Sequence, residues 1–85
     1  MKILYKPTFV RQYGKLDENL QTEILEKIEL FKNISNHESL KVHKLHGKLK
    51  DCYSFYVNYK IRIVFTWESK EEAVLMVIGD HDIYK

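Results

Sequence analysis

Leu16, Leu20, Ile24, Ile28 and Phe31 recur at steps of four, four, four and three. That period places them on one side of a helix over residues 16–31. Glu18, Glu23, Glu26, Lys27 and Glu29 fall on the other side. Upstream, residues 2–5 read as a short strand. Pro7 suits a first helical turn, where its missing N–H costs nothing. Residues 8–13 then form a short helix that Gly14 ends. Residues 33–42 have no period and contain breakers, so they read as a loop crossing from helix to sheet. The stretch His43-Lys44-Leu45-His46-Gly47-Lys48-Leu49-Lys50 is a basic approach to the next strand.

Residues 52–57 and 61–67 are aromatic and β-branched, as strands prefer. Asn58-Tyr59-Lys60 is the turn between them. With Tyr59 central in a three-residue loop, Val57 faces Ile61, Phe55 faces Ile63 and Tyr53 faces Phe65. That face is apolar or aromatic and covers the helix. The opposite face pairs Tyr56 with Arg62, Ser54 with Val64 and Cys52 with Thr66. A one-residue slip would mix the faces, so the pattern selects this register. Residues 68–72 make a charged turn into a last strand, 73–79. If Val74, Met76 and Ile78 are core, His81 lies on the side of Arg62. The expected fold is α+β: an N-terminal strand, two helices, then a three-stranded antiparallel meander, with the helices on one face of the sheet.

The length of 85 residues supports one domain, residues 1–85. Hydrophobic residues at 45% fit a folded chain. The single cysteine, Cys52, forms no internal disulfide, which points to a reducing, cytoplasmic setting. The first residues lack the apolar run of a signal peptide, and no stretch is long and apolar enough to span a membrane. The net charge of +2 hides an asymmetry. Residues 41–62 carry Lys41, Lys44, Lys48, Lys50, Lys60 and Arg62 against Asp51 alone, a net of +5. Such a concentration of positive charge suits a polyanion.

The glycines at 14, 47 and 79 build no phosphate loop, so a nucleotide cofactor is not expected. His43 and His46 form an HxxH, but the spacing is not that of a zinc helix, and no metal or other cofactor is expected. Cys52 reads as a small half-buried strand residue, His37 as a loop residue and Trp67 as core. A phosphodiester site without metal fits better. Attack of a 2′-OH on the adjacent phosphate needs a base near neutrality, a fixed cation and an acid for the leaving oxygen. Arg62 is the natural cation, because its guanidinium grips phosphate in a forked, permanently charged geometry. Histidines can serve as base and acid. Tyr56, Tyr59 and Tyr84 can stack on unpaired bases. Lys44, Lys48, Lys50 and Lys60 can bind RNA phosphates. Arg62 also has a simpler reading, as a cross-strand cation–π partner of Tyr56.

Four segments together resemble the RelE/ParE superfamily, the toxins of bacterial type II toxin–antitoxin modules. They are 9–16 (FVRQYGKL), 44–51 (KLHGKLKD), 59–65 (YKIRIVF) and 78–84 (IGDHDIY). The resemblance covers nearly the whole chain and implies the RelE-like fold. It further implies an mRNA interferase, an endoribonuclease that cleaves messenger RNA on the ribosome, and a cognate antitoxin protein as partner. Arg62 matches the family's phosphate-supporting arginine, His81 a catalytic position near the terminus, and Tyr84 a late aromatic that stacks on RNA or aids proton transfer. His43 falls where some members carry a general base. His43 and His81 thus divide the roles of base and acid, in either order. The lysine pair of RelE itself is replaced by Ser54 and Tyr56, and the His and Asp of YafQ-like members are absent near Tyr56 and Lys60. The alternative within the fold is a ParE-like inhibitor of DNA gyrase, or an RNA-binding toxin without catalysis.

Overall fold

Asp17 sets where the main helix begins. A computed structural model describes residues 1–80. In it the side chain of Asp17 accepts from the Leu20 N–H at 2.8 Å, capping helix α2 (Glu18–Phe31). A cap of this kind contributes about 1 kcal/mol. Leu16 therefore precedes the helix rather than starting it. It and Leu20 still pack on the core beside buried Ile24, Ile28 and Phe31. Strand β1 (Lys2–Tyr5) and helix α1 (Pro7–Gly14) come first, with Pro7 in the first turn of α1 as expected.

Among the described residues the sheet has five strands, in the order β1, β5, β4, β3, β2. They are β1, β2 (His43–Lys44), β3 (Tyr53–Tyr56), β4 (Ile61–Ser69) and β5 (Glu72–Asp80). The α+β class and the meander β3–β4–β5 match the sequence reading, but the meander is only part of the sheet. Strand β1 pairs parallel to β5, and β2 adds an antiparallel edge beside β3. Two paired residues leave no period in the sequence. Their pairing is instead bracketed by main-chain bonds from Tyr56 N–H to the Leu40 carbonyl (2.9 Å) and from Leu45 N–H to the Cys52 carbonyl (2.8 Å). What read as a basic approach therefore opens with an edge strand, His43–Lys44. The preceding loop also holds a short 3-10 turn at Ile34–Asn36.

The hairpin register is the one the pattern selects: Tyr53 opposite Phe65, Phe55 opposite Ile63 and Tyr56 opposite Arg62. Phe55, Val57, Ile63 and Phe65 join Ile24, Ile28 and Phe31 in one core. Phe31 stacks on Phe55 at 4.4 Å between ring centroids.

Strand β5 departs from simple alternation. Val64 pairs with Val77 but Phe65 pairs with Leu75, which leaves Met76 as an extra residue. This bulge changes which side chains face the helices. Ala73, Leu75 and Ile78 join the core with the helices; Val74 is buried as well, but Met76 is only half-buried. Past the bulge, Gly79 lies opposite Arg62. Beyond the reach of β1, the edge of β5 is stitched to α1, where the Gln12 side-chain oxygen accepts from the Ile78 N–H at 2.7 Å.

His37 is no simple loop residue. Its ring stacks on Phe31 at 4.7 Å, and Nε2 lies 2.8 Å from the Phe31 carbonyl. A carbonyl only accepts, so Nε2 carries the proton. His37 thereby closes the end of α2.

Candidate functional site

The face of the sheet turned away from α2 carries two cross-strand rows. Val77, Val64, Ser54 and His43 form one, and Gly79, Arg62 and Tyr56 form the next. The rows are about 7 Å apart, two residues along a strand. His43 and Arg62 therefore share a face, on strands separated by β3. Ser54 between them is fully buried.

Arg62 is the unusual residue of this face. It is only 6% exposed, and among the described residues no carboxylate pairs with it. Its guanidinium carbon sits 3.5 Å from the centroid of the Tyr56 ring. Nη1 donates to the Asn58 carbonyl at 2.8 Å and to the Ile61 carbonyl at 3.3 Å. Nε is buried without a partner. Nη2 makes no hydrogen bond within the described residues. A buried, permanently charged group held by a ring and two carbonyls keeps much of its positive field uncompensated. That arrangement can receive an anion.

Asn58 builds the turn that holds Arg62. Its side-chain oxygen accepts from the N–H groups of Lys60 (2.9 Å) and Ile61 (2.7 Å). Its amide nitrogen donates to Glu23 on α2 at 2.7 Å. Asn favours such turns because its side chain mimics a main-chain acceptor.

The approach to β2 is fixed by Lys41. Val42 N–H bonds to the His37 carbonyl (2.9 Å), and Lys41 N–H to the Glu38 carbonyl (3.0 Å). Those two bonds make a Schellman closure with Lys41 at its left-handed position. Its φ is +56°, a conformation that costs a side chain roughly 1–2 kcal/mol and that glycine adopts freely. From there the Lys41 ammonium lies 5.1 Å from the Tyr56 ring centroid. The Lys41 carbonyl meets His43 Nδ1 at 2.8 Å. Because the carbonyl only accepts, Nδ1 bears the proton, and Nε2 is the basic nitrogen of neutral His43.

The other sequence candidates are dispersed. Lys44 pairs with Tyr53, so it points to the face opposite His43. Lys48 and Lys50 are exposed around the 3-10 turn Gly47–Leu49, where Gly47 takes φ +72°. Lys60 borders a groove of about 690 Å³ between the hairpin loop and α2, with Asp17, Glu23 and Glu26. Tyr56 offers Arg62 the ring face it was expected to offer a base. His81 and Tyr84 lie outside the described residues. Among the described residues, no group of three or more His, Cys, Asp or Glu side chains is placed to hold a metal. No described helix is long and apolar enough to cross a membrane.

Sequence reasoning counted Lys41 in the basic stretch and placed Asn58 in the hairpin turn, but gave neither a role in the site. Asn58 carried a signal, since Asn opening a short loop is a turn former. Lys41 carried none, because nothing in its neighbours announces a left-handed residue.

No protein-family profile matches the sequence, and no curated relative matches it significantly. The fold is nevertheless shared with solved structures. The RelBE2 toxin–antitoxin complex of Mycobacterium tuberculosis matches with a TM-score of 0.74 at 15% identity, over 94% of this chain and 96% of that one. The YoeB–YefM complex of Staphylococcus aureus matches with a TM-score of 0.73 at 20% identity, over 95% and 97%. Protein HP0894 of Helicobacter pylori matches with a TM-score of 0.73 at 17% identity, over 96% of both chains. At these identities the likeness is one of fold. The chain has the fold of the RelE/ParE-type toxins.

Proposed function

We propose that this protein is the toxin of a type II toxin–antitoxin module and an endoribonuclease that cleaves messenger RNA, on the ribosome, without a metal. The observation that carries this reading is Arg62: a desolvated guanidinium, unpaired with any carboxylate among the described residues, on the same face as a histidine whose basic nitrogen is defined. The shared fold supports it.

The reaction is a transphosphorylation. His43 Nε2 takes the proton of a ribose 2′-OH. The 2′ oxygen attacks the adjacent phosphorus, and the bond to the 5′ oxygen breaks. Negative charge building on the nonbridging oxygens is met by Arg62 Nη2, whose position is set in advance by Tyr56 and Asn58. The leaving 5′ oxygen receives a proton from His81, and Tyr84 stacks on the RNA. A 2′,3′-cyclic phosphate and a 5′-hydroxyl result. The two histidines exchange roles if the proton flow is reversed. Lys44, Lys48, Lys50 and Lys60 contribute to the charge that attracts messenger or ribosomal RNA. An antitoxin is the cognate partner, as in the complexes of the same fold, and the reaction belongs to the cytoplasm.

Inducible expression followed by mapping of transcript 5′ ends tests the proposal. Growth arrest with cuts inside translated codons is the expected result, lost in Arg62→Ala and His81→Ala. Arrest without cuts, accompanied by blocked DNA supercoiling, would select the gyrase-directed alternative.

A further inference from the structure

Two cations converge on one ring. The Lys41 ammonium lies 5.1 Å and the Arg62 guanidinium carbon 3.5 Å from the centroid of Tyr56. They are thus within about 9 Å of each other, near enough to repel in a partly desolvated setting. No salt bridge among the described residues involves either. Arg62 is buried, and Lys41 is exposed at the left-handed position of its turn. Glycine is the residue that turn favours, so the side chain is kept there against the local backbone preference. Strain of this kind gathers where a side chain is used.

We propose that Lys41 is a second phosphate-contacting residue, which grips the RNA backbone together with Arg62 from the Tyr56 platform. This rests on the RNA-cleaving reading above and adds a residue to it. A phosphodiester has two nonbridging oxygens, and an anion within reach of both cations relieves their mutual repulsion while neutralising both. The Lys41 carbonyl also holds His43 Nδ1. A phosphate drawn to the ammonium is therefore brought to the turn that orients the base.

The test is binding of a single-stranded 2′-O-methyl oligoribonucleotide, which cannot be cleaved, across a salt series, with thermal midpoints measured alongside. Lys41→Gly and Lys41→Met should weaken binding at least about fivefold at low salt. The slope of log K against log salt should fall by about 0.7, the value of one lost contact on a single strand. Lys41→Arg should bind within about twofold of wild type, because the charge is kept. Lys41→Gly should melt no lower than wild type, since it relieves the left-handed side chain. Wild-type binding by Lys41→Met beside weakened binding by Arg62→Ala would overturn the Lys41 assignment and leave the RNA reading standing. A wild-type protein that binds no better than Arg62→Ala would overturn both.

Discussion

Asn58 holds Arg62 with its main chain while its side chain holds the turn. The Asn58 carbonyl accepts from Nη1 at 2.8 Å. The same residue's amide ties two loop N–H groups and reaches Glu23 on α2. The guanidinium is thus anchored through the hairpin loop to the main helix. Asn58→Ala leaves the N–H groups of Lys60 and Ile61 without their acceptor. It should cost about 1–3 kcal/mol in urea unfolding and reduce RNA cleavage by displacing Arg62. Glu23→Gln keeps an acceptor oxygen for the Asn58 amide and should stay within about 0.5 kcal/mol of wild type. A loss of cleavage in Glu23→Gln equal to that of Asn58→Ala would show that charge, not position, is what Glu23 supplies.

Arg62 should separate stability from activity. Its Nε is buried and unpartnered, and its charge is largely withdrawn from water. Replacing buried charged groups together with their partners by apolar side chains is often neutral or stabilising, and Arg62 has no carboxylate partner among the described residues that its removal would strand. Arg62→Met should therefore unfold within about 1 kcal/mol of wild type, or above it. RNA cleavage should fall at least about a hundredfold, as when one preorganised transition-state donor is lost. Parallel denaturation curves and cleavage rates check the pair of outcomes. A large loss of stability would instead make Arg62 a structural residue of the hairpin.

The elements with strong periods were legible in the sequence. The stripe from Leu16 to Phe31 gave the main helix, and the alternation through Tyr53–Tyr56 and Ile61–Trp67 gave the hairpin register with Tyr56 opposite Arg62. Both rest on side-chain burial, which leaves a pattern. Strand β2 rests on main-chain bonds and leaves none. The bulge at Met76 was hidden because residues 73–78 are all apolar, so either parity satisfied the pattern. Arg62 was readable as a candidate from its chemistry, and His43 from the resemblance. The register also foretold the Tyr56 ring beside Arg62, which the structure places 3.5 Å from the guanidinium carbon, whereas the contacts of Asn58 and Lys41 were not legible, since they act through turn geometry. The resemblance to RelE/ParE-type toxins foretold the fold that the solved structures share.

Gln12 should matter to stability rather than to the site. Its side-chain oxygen is the acceptor for the Ile78 N–H, which lies past the last residue of β5 that β1 pairs, Leu75. Gln12→Ala leaves that N–H unsatisfied in a partly buried position, at a cost of about 1–3 kcal/mol. Urea unfolding should register the loss, and amide hydrogen exchange at Ile78 should accelerate. Unchanged exchange would mean that water replaces the Gln12 oxygen without penalty.

The tautomer of His43 decides whether it can act as the base. Nδ1 faces the Lys41 carbonyl at 2.8 Å, and that contact is favourable only with the proton on Nδ1. The lone pair of the neutral ring is then on Nε2, the atom that takes the 2′-OH proton in the proposed reaction. Heteronuclear NMR of the imidazole nitrogens should find neutral His43 in the Nδ1–H form. His43→Gln should lower RNA cleavage by about 10²–10⁴, the usual contribution of a general base. Because His43 is exposed on a two-residue edge strand, its stability should change little, within about 0.5 kcal/mol. A dominant Nε2–H form, with cleavage preserved in His43→Gln, would remove His43 from the reaction and require another residue to take the 2′ proton.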